Sequence, residues 1–216
     1  MGRSGSLRNT KVLITCGPTW VAIDEVRVIS NRSTGQMGHR LAREFKRSGA
    51  KVTLLEGPCT DTIKTDGITT RKFRFYDELL DLLKKELKKK FDVIIHAAAV
   101  SDYKLKIPYR SKVRSGLAQL KLTLVPTPKI INIIRKLAPK TTLVGFKLEP
   151  VSALSTLRKK GLALAYQADC DFVITNSLEN NTYLGYILNA AGDVLASASS
   201  RARISQKIVN ILKDHQ

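Results

Sequence analysis

The stretch Ser30-Asn31-Arg32-Ser33-Thr34-Gly35-Gln36-Met37-Gly38 holds the residue types that grip phosphate. If a helix starts near Gly35, its first N–H groups are unpaired and carry a partial positive charge. Glycines there let the backbone come close, and the hydroxyls add donors. The same residues also suit an ordinary Ser/Thr cap with a glycine for helix–sheet packing, and Gly-x-x-Gly alone does not separate the two. A second group, Lys104, Lys106, Arg110, Lys112 and Arg114, lies in a Pro- and Ser-containing segment without helical period. Basic side chains on such a loop can close over phosphates. Cys16, Cys59 and Cys170 are widely spaced with no C-x-x-C, and His39, His96 and His215 are scattered. Neither a disulfide framework nor a zinc site is therefore expected.

These groups need elements to hold them. Lys11–Cys16 (KVLITC), Lys51–Leu55, Asp92–Ala97 (DVIIHA), Thr142–Phe146 and Asp171–Thr175 (DFVIT) read as buried strands, with Thr70–Phe75 weaker and Leu120–Val125 half-exposed. Helices are expected from about Gly35 to Gly49, with Met37, Leu41, Ala42 and Phe45 on one face, and over Tyr76–Lys89, Lys129–Leu137, Ser152–Ala168 and Ser200–Lys213. Tyr183–Leu188 and Asp193–Ala196 flank an Asn-Ala-Ala-Gly turn and suggest a hairpin. Strand and helix alternate, which predicts an α/β fold: a Rossmann-like, doubly wound, mostly parallel sheet with a small hairpin or flap extension. Ligands of such a sheet bind beyond the C-terminal strand ends. The loops there are Cys16–Gly35, Glu56–Asp66, Ala98–Leu120, Lys147–Val151 and Asn176–Leu184. A single domain over 11–216 is expected, behind a disordered tail of residues 1–10.

Composition narrows the classes. The chain has 216 residues, 43% of them hydrophobic, with 37 Lys and Arg against 18 Asp and Glu, a net charge of +19. That composition is globular. No apolar run is long enough to span a membrane, and the basic N-terminus lacks the apolar core of a secretory signal. The cytoplasm is the expected compartment. Lys84–Lys90 (KKELKKK) alternates with Leu79, Leu80, Leu83 and Leu87 at helical spacing, so it reads as the solvated face of an amphipathic helix rather than a specific nucleic-acid surface.

A short-chain nicotinamide oxidoreductase is the rival reading. Glu56 follows the second strand, where an acid would hold a ribose, and Ala97-Ala98-Ala99-Val100 follows a central strand. However, the full G-x-G-x-x-G is absent. The residues four after each tyrosine are Leu80, Ile107, Val113, Cys170, Ile187 and Ala190, so the Tyr-x-x-x-Lys pair is missing.

Several segments together resemble the phosphopantothenoylcysteine synthetases of coenzyme A biosynthesis. They are Thr15–Thr19 (TCGPT), Ile23-Asp24-Glu25-Val26-Arg27, Ile29–Gly38, Ala97–Tyr103 (AAAVSDY), Lys112-Val113-Arg114-Ser115, Val144–Glu149 (VGFKLE) and Ile174-Thr175-Asn176. They occur in family order across nearly the whole chain. The pair S-N-x-S-(S/T)-G-x-M-G and A-A-A-V-S-D-(Y/F) is specific. The resemblance implies a monofunctional ligase that joins 4′-phosphopantothenate to cysteine through an acyl-nucleotidate, releasing pyrophosphate and then a nucleoside monophosphate. It implies Mg²⁺ with unassigned ligands, CTP in preference to ATP as co-substrate, no flavin, and a homodimer with shared sites. By resemblance, Gly17, Ser33, Gly35 and Gly38 form the nucleotide-phosphate cradle, and Phe146 and Asn176 contact its base and sugar. Asn31, Ala98, Ala99 and Asp102 contact the pantothenate moiety. Asn31 and Lys112 are the catalytic residues, Lys112 opening a flap over the nucleotide, and the late hairpin belongs to the dimerisation segment. Where many bacterial members have a double lysine in that flap, this chain has Arg114 and Ser115.

Overall fold

Two runs of apolar residues, Val12–Cys16 and Val93–His96, are buried throughout, as strands sandwiched between helix layers must be. They form β1 (Lys11–Cys16) and β6 (Val93–His96), the middle of an eight-stranded sheet in a computed structural model that describes residues 6–60, 66–150, 153–179 and 182–215. Around them lie β4 (Lys51–Glu56), β5 (Thr69–Lys72), β9 (Thr142–Glu149), β10 (Phe172–Glu179), β11 (Thr182–Asn189) and β12 (Val194–Ala198), in the order β12-β11-β10-β9-β6-β1-β4-β5. The six strands from β10 to β5 pair in parallel, while β11 and β12 add an antiparallel hairpin. Two small ribbons stand apart: β2 (Trp20–Ala22) with β3 (Val28–Ser30), and β7 (Tyr103–Leu105) with β8 (Leu124–Pro126).

Helices cover both faces. On one, α1 (Gln36–Arg47) and α5 (Arg201–Asp214) bury Leu41, Ala42, Phe45, Ile204 and Ile208 against Val12, Ile14, Ile95 and Ile174. On the other, α2 (Tyr76–Glu86), α3 (Ile130–Leu137) and α4 (Leu154–Ala168) cover Leu13, Ile94, Leu143 and Val173. This is the doubly wound α/β arrangement expected. Glu78 accepts from the Arg74 and Phe75 amides at 2.6 and 3.4 Å and starts α2, while Ser200 accepts from the Arg203 amide and starts α5. Lys84, Lys85, Lys88 and Lys89 are exposed and Leu79, Leu83 and Leu87 buried, so the lysine run is the solvated side of α2 and its terminal 3₁₀ turn.

Several boundaries differ from expectation. Residues 1–5 lie outside the described residues, but the inner part of the expected tail is packed: Leu7 is 1% exposed, and its amide bonds to the Ser48 carbonyl. Leu120–Val125 contributes only its last two residues to a strand, because its partner β7 is three residues long. Conversely, β9 and β10 outrun their expected ends at Phe146 and Thr175. The reason is β11, which pairs with β10 over its full length, from Phe172 opposite Asn189 to Glu179 opposite Thr182. It thereby supplies ladder partners beyond the end of the parallel sheet. Asn176 is thus inside a strand and not in the loop expected over Asn176–Leu184.

Candidate nucleotide and substrate site

Strand order reverses between β1 and β6: the chain moves from β1 to β4 and β5 on one side, then from β6 to β9 and β10 on the other. The crevice beyond the C-terminal ends of that pair is where an open α/β sheet binds ligands. The two turns leaving β1 and β6 are laced together there. The Ala99 amide donates to the Gly17 carbonyl at 2.8 Å, and the Thr19 amide donates back to the Ala99 carbonyl at 3.3 Å. The Thr19 hydroxyl accepts from the Ser101 amide at 2.9 Å. Below them, the Thr15 hydroxyl accepts from the Ala98 amide at 3.2 Å and meets His96 Nδ1 at 2.9 Å. A neutral ring lets the hydroxyl give its own proton to Nδ1. Burial agrees, lowering the His96 pKa to about 4. Asn31 Nδ2 donates to the carbonyls of Ala99 and Val100 at 3.0 and 3.3 Å, so Asn31, Ala98 and Ala99 share one corner of the crevice.

The helix α1 opens at the same level. Gly35 precedes it in the left-handed region (φ 77°), with no side-chain cap and no acidic residue in the first turn. The Gln36 amide donates to Thr34 Oγ1 at 3.4 Å, and the positive end of the helix meets no acid in its own first turn. Ser33 folds back through its amide to the Asn31 carbonyl at 2.9 Å. Gly38 answers a different demand: a Cβ there would lie 2.1 Å from Cys16 Cβ, so its role is the close approach of α1 to β1.

From the register, His96, Gly145 and Val173 lie at one level. Phe146 is one residue past that level and Asn176 three past it, on the protruding ends of β9 and β10. Phe146 packs against the α1 and α5 face, and Asn176, two residues after Ile174, points to the same side. Both are partly exposed and overlook the side of the crevice where α1 begins. Asp102 is at the far edge, ion-paired to Lys129 Nζ at 2.6 Å. Lys112 is exposed, and its loop is tied to the turn between β2 and β3: the Val113 amide donates to Asp24 Oδ2 at 3.1 Å, and Arg27 donates to the Val113 carbonyl.

Asp24 and Arg27 carried no role in the sequence reading, although the D-E-V-R run contains both. Asp24 also accepts from the Val26 and Arg27 amides at 2.9 Å, the pattern of a short acid that closes a turn. Burial pushes its carboxyl up, but three amides and the Arg27 guanidinium outweigh that and hold it below the usual carboxylate range. Glu56 is committed elsewhere, its Oε1 lying 2.5 Å from His39 Nε2, which removes the acid that a ribose would need in the dehydrogenase reading.

Three residues without a shared spacing in the sequence meet in the fold. Cys16, His39 and Cys59, scattered in sequence, converge: one ligand atom of each lies within 4.8 Å of the others. Cys16 ends β1, His39 lies in the first turn of α1, and Cys59 follows β4, so three neighbouring elements bring them together. The hydrogen bond with Cys59, then burial, hold the Cys16 thiol well above its ordinary pKa.

A doubly wound, mostly parallel sheet, with a glycine turn running into a helix at the point where strand order reverses, defines an open α/β domain. Within that class, the chain belongs to the family described as the DNA/pantothenate metabolism flavoprotein C-terminal domain, whose model matches residues 7–213. It is 37% identical over 175 residues to the coenzyme A biosynthesis bifunctional protein CoaBC of Thermococcus kodakarensis, covering 81% of this chain and 43% of that protein, and so spans less than half of the relative's length. The crystal structure of the DNA/pantothenate metabolism flavoprotein from Streptococcus pneumoniae superposes with a TM-score of 0.85 at 22% identity, covering 96% of this chain and 100% of that one. A Cab2 mutant in complex with phosphopantothenate-cysteine gives 0.77 at 23% identity, covering 96% and 87%. Both share the fold. Among the described residues, no helix is long and apolar enough to cross a membrane.

Proposed function

We propose that the chain is a phosphopantothenate–cysteine ligase. The observation that carries this reading is the joining of Asn31, Ala98 and Ala99 at the switch point, beside the glycine turn that leads into α1. Family membership supports it, as do the name of the Thermococcus relative and the ligand in the Cab2 complex. In the first step a carboxylate oxygen of 4′-phosphopantothenate attacks the α-phosphorus of a nucleoside triphosphate. A P–O bond forms, the bond to the bridging oxygen breaks, and pyrophosphate leaves with its electron pair. In the second step the amine of cysteine attacks the acyl carbon. A C–N bond forms, the nucleoside monophosphate leaves, and the amine proton goes to solvent. The substrate is its own nucleophile, so positioning and charge stabilisation are the protein's share.

The amides at Gly17 and at the head of α1, with Ser33, hold the phosphates, and Gly38 lets that helix sit close enough to do so. Phe146 and Asn176 flank the base and sugar. Asn31, Ala98 and Ala99 shape the pantothenate pocket, Asp102 and Lys129 border it, and Lys112 closes from its loop. Mg²⁺ requires hard oxygen ligands. The sulfur-rich Cys16–His39–Cys59 set does not suit it, and the triphosphate oxygens do. A cytoplasmic homodimer belongs to the same proposal. Exposed Val28 and Ile29 on the β2–β3 ribbon and Leu178, Val194 and Leu195 on the late strands supply apolar surface for it.

The test is pyrophosphate release with 4′-phosphopantothenate, cysteine and Mg²⁺, run in parallel with CTP and ATP. Release that needs 4′-phosphopantothenate and is faster with CTP is expected. No release with either nucleotide would overturn the proposal.

A further inference from the structure

The cluster formed by Cys16, His39 and Cys59 has no part in the ligase chemistry, and the inference from it does not depend on that reading. We propose that Cys16 Sγ, Cys59 Sγ and His39 Nδ1 bind one Zn²⁺ ion beneath the turn that precedes α1.

The donor set is the first argument. Sulfur and imidazole nitrogen are zinc's preferred ligands, and bond lengths of about 2.3 Å to sulfur and about 2.0 Å to nitrogen place tetrahedral ligand atoms roughly 3.5–3.8 Å apart. The two sulfurs and a ring nitrogen of His39 already lie within 4.8 Å of one another, so side-chain adjustments complete the set.

The histidine is the second argument, and it is independent of the cysteines. Its side chain is fully buried, and Nε2 donates to Glu56 Oε1 at 2.5 Å. A carboxylate on one ring nitrogen fixes the tautomer and turns the other nitrogen into a ligand, the second-shell arrangement of zinc histidines. That other nitrogen, Nδ1, is buried with no hydrogen-bond partner.

Charge is the third. Uptake of Zn²⁺ displaces one proton from each thiol to solvent, leaving two thiolates, a neutral imidazole and a divalent cation. The sum is zero, which suits a buried site. Three protein ligands leave the fourth position for water. Cys59 is the partly exposed member and gives the ion its way in. A Cβ on Gly17 or Gly35 would come within 2.9 or 2.2 Å of Cys59 Sγ, so the ion would brace both glycine turns of the crevice.

The experiment is metal binding by the whole chain, stripped with a chelator and titrated with Zn²⁺ against a chromophoric competitor, then with Co²⁺ for its thiolate charge-transfer absorption. One equivalent of zinc with release of two protons is expected, with thiolate bands in the cobalt form. Glu56→Gln should weaken zinc by about 10- to 100-fold, and Cys59→Ser by more. Cys170→Ser, which removes a buried thiol elsewhere, should bind as the parent does. If Cys59→Ser fails to fold, protection of Cys16 and Cys59 from iodoacetamide by zinc in the parent replaces it. Substoichiometric uptake, unchanged affinity in Cys59→Ser, or absence of that protection would each overturn the site.

Discussion

Asn31 Nδ2 spans from the segment leading into α1 to the carbonyls of Ala99 and Val100, at 3.0 and 3.3 Å, and so ties the turn after β3 to the turn after β6. The Ala99 carbonyl also accepts from the Thr19 amide, but the link from Asn31 to both carbonyls is its own, and aspartate has no donor to offer at neutral pH. Asn31→Asp is therefore expected to spread the two turns while leaving the core intact, since the residue is exposed. Displacement of this kind costs on the order of 100-fold in turnover. The melting temperature should move by no more than about 4 °C. Steady-state pyrophosphate release beside a thermal melt checks both, and unchanged kinetics would remove Asn31 from the site.

Gly38 tests how far α1 depends on a bare backbone. Alanine is the better helix former by about 1 kcal/mol, so an open position would gain from Gly38→Ala. Here the added Cβ would fall 2.1 Å from Cys16 Cβ, and overpacking of this sort costs about 1–3 kcal/mol. Net destabilisation is expected in urea unfolding. A gain in stability would show that α1 can slide off β1.

The parts of this fold legible in the sequence are those where burial is uniform along a segment. Val12–Cys16 and Val93–His96 are buried throughout and read as continuous apolar runs. The β2–β3 ribbon was not legible, because three-residue strands leave no periodicity and two of its exposed residues, Val28 and Ile29, are apolar. Asn176 reads as a loop residue in the sequence because the strand that extends β10 follows it and pairs back from outside the parallel sheet. The Cys16–His39–Cys59 cluster had no signal in spacing, since only the parallel pairing of β1 with β4 and the packing of α1 bring its members together. The Gly17–Ala99 lacing is likewise a consequence of strand order, which no local pattern encodes.

Asp24 anchors the loop that carries Lys112. It accepts amides from its own turn and from Val113, one residue beyond Lys112. Asp24→Ala leaves those three donors without their acceptor, and faster hydrogen exchange is expected at Val26, Arg27 and Val113 together. Faster exchange at Val26 and Arg27 alone would mean that this loop has another anchor. The pH sign follows from the carboxyl being held low. The contribution is present above the ordinary aspartate value of about 3.9, and it is lost as pH falls through the lower folded value. Exchange at Val113 should thus stay slow at pH 5.

His96 predicts pH dependence in a milder range. Burial lowers its pKa to about 4 in the folded protein, against about 6.5 in the unfolded chain. Above pH 6.5 neither state is protonated, and the ring costs nothing. Below it the unfolded chain takes up a proton that the folded protein refuses, so stability falls with pH until about 4, where the loss levels off. The whole window amounts to roughly 3 kcal/mol, and about 2 kcal/mol of it should be gone at pH 5. Urea unfolding at pH 7 and pH 5 measures the difference. His96→Gln keeps an acceptor for the Thr15 hydroxyl but cannot titrate, and it should flatten the profile by that amount. An equal fall in the variant would place the acid sensitivity in other groups.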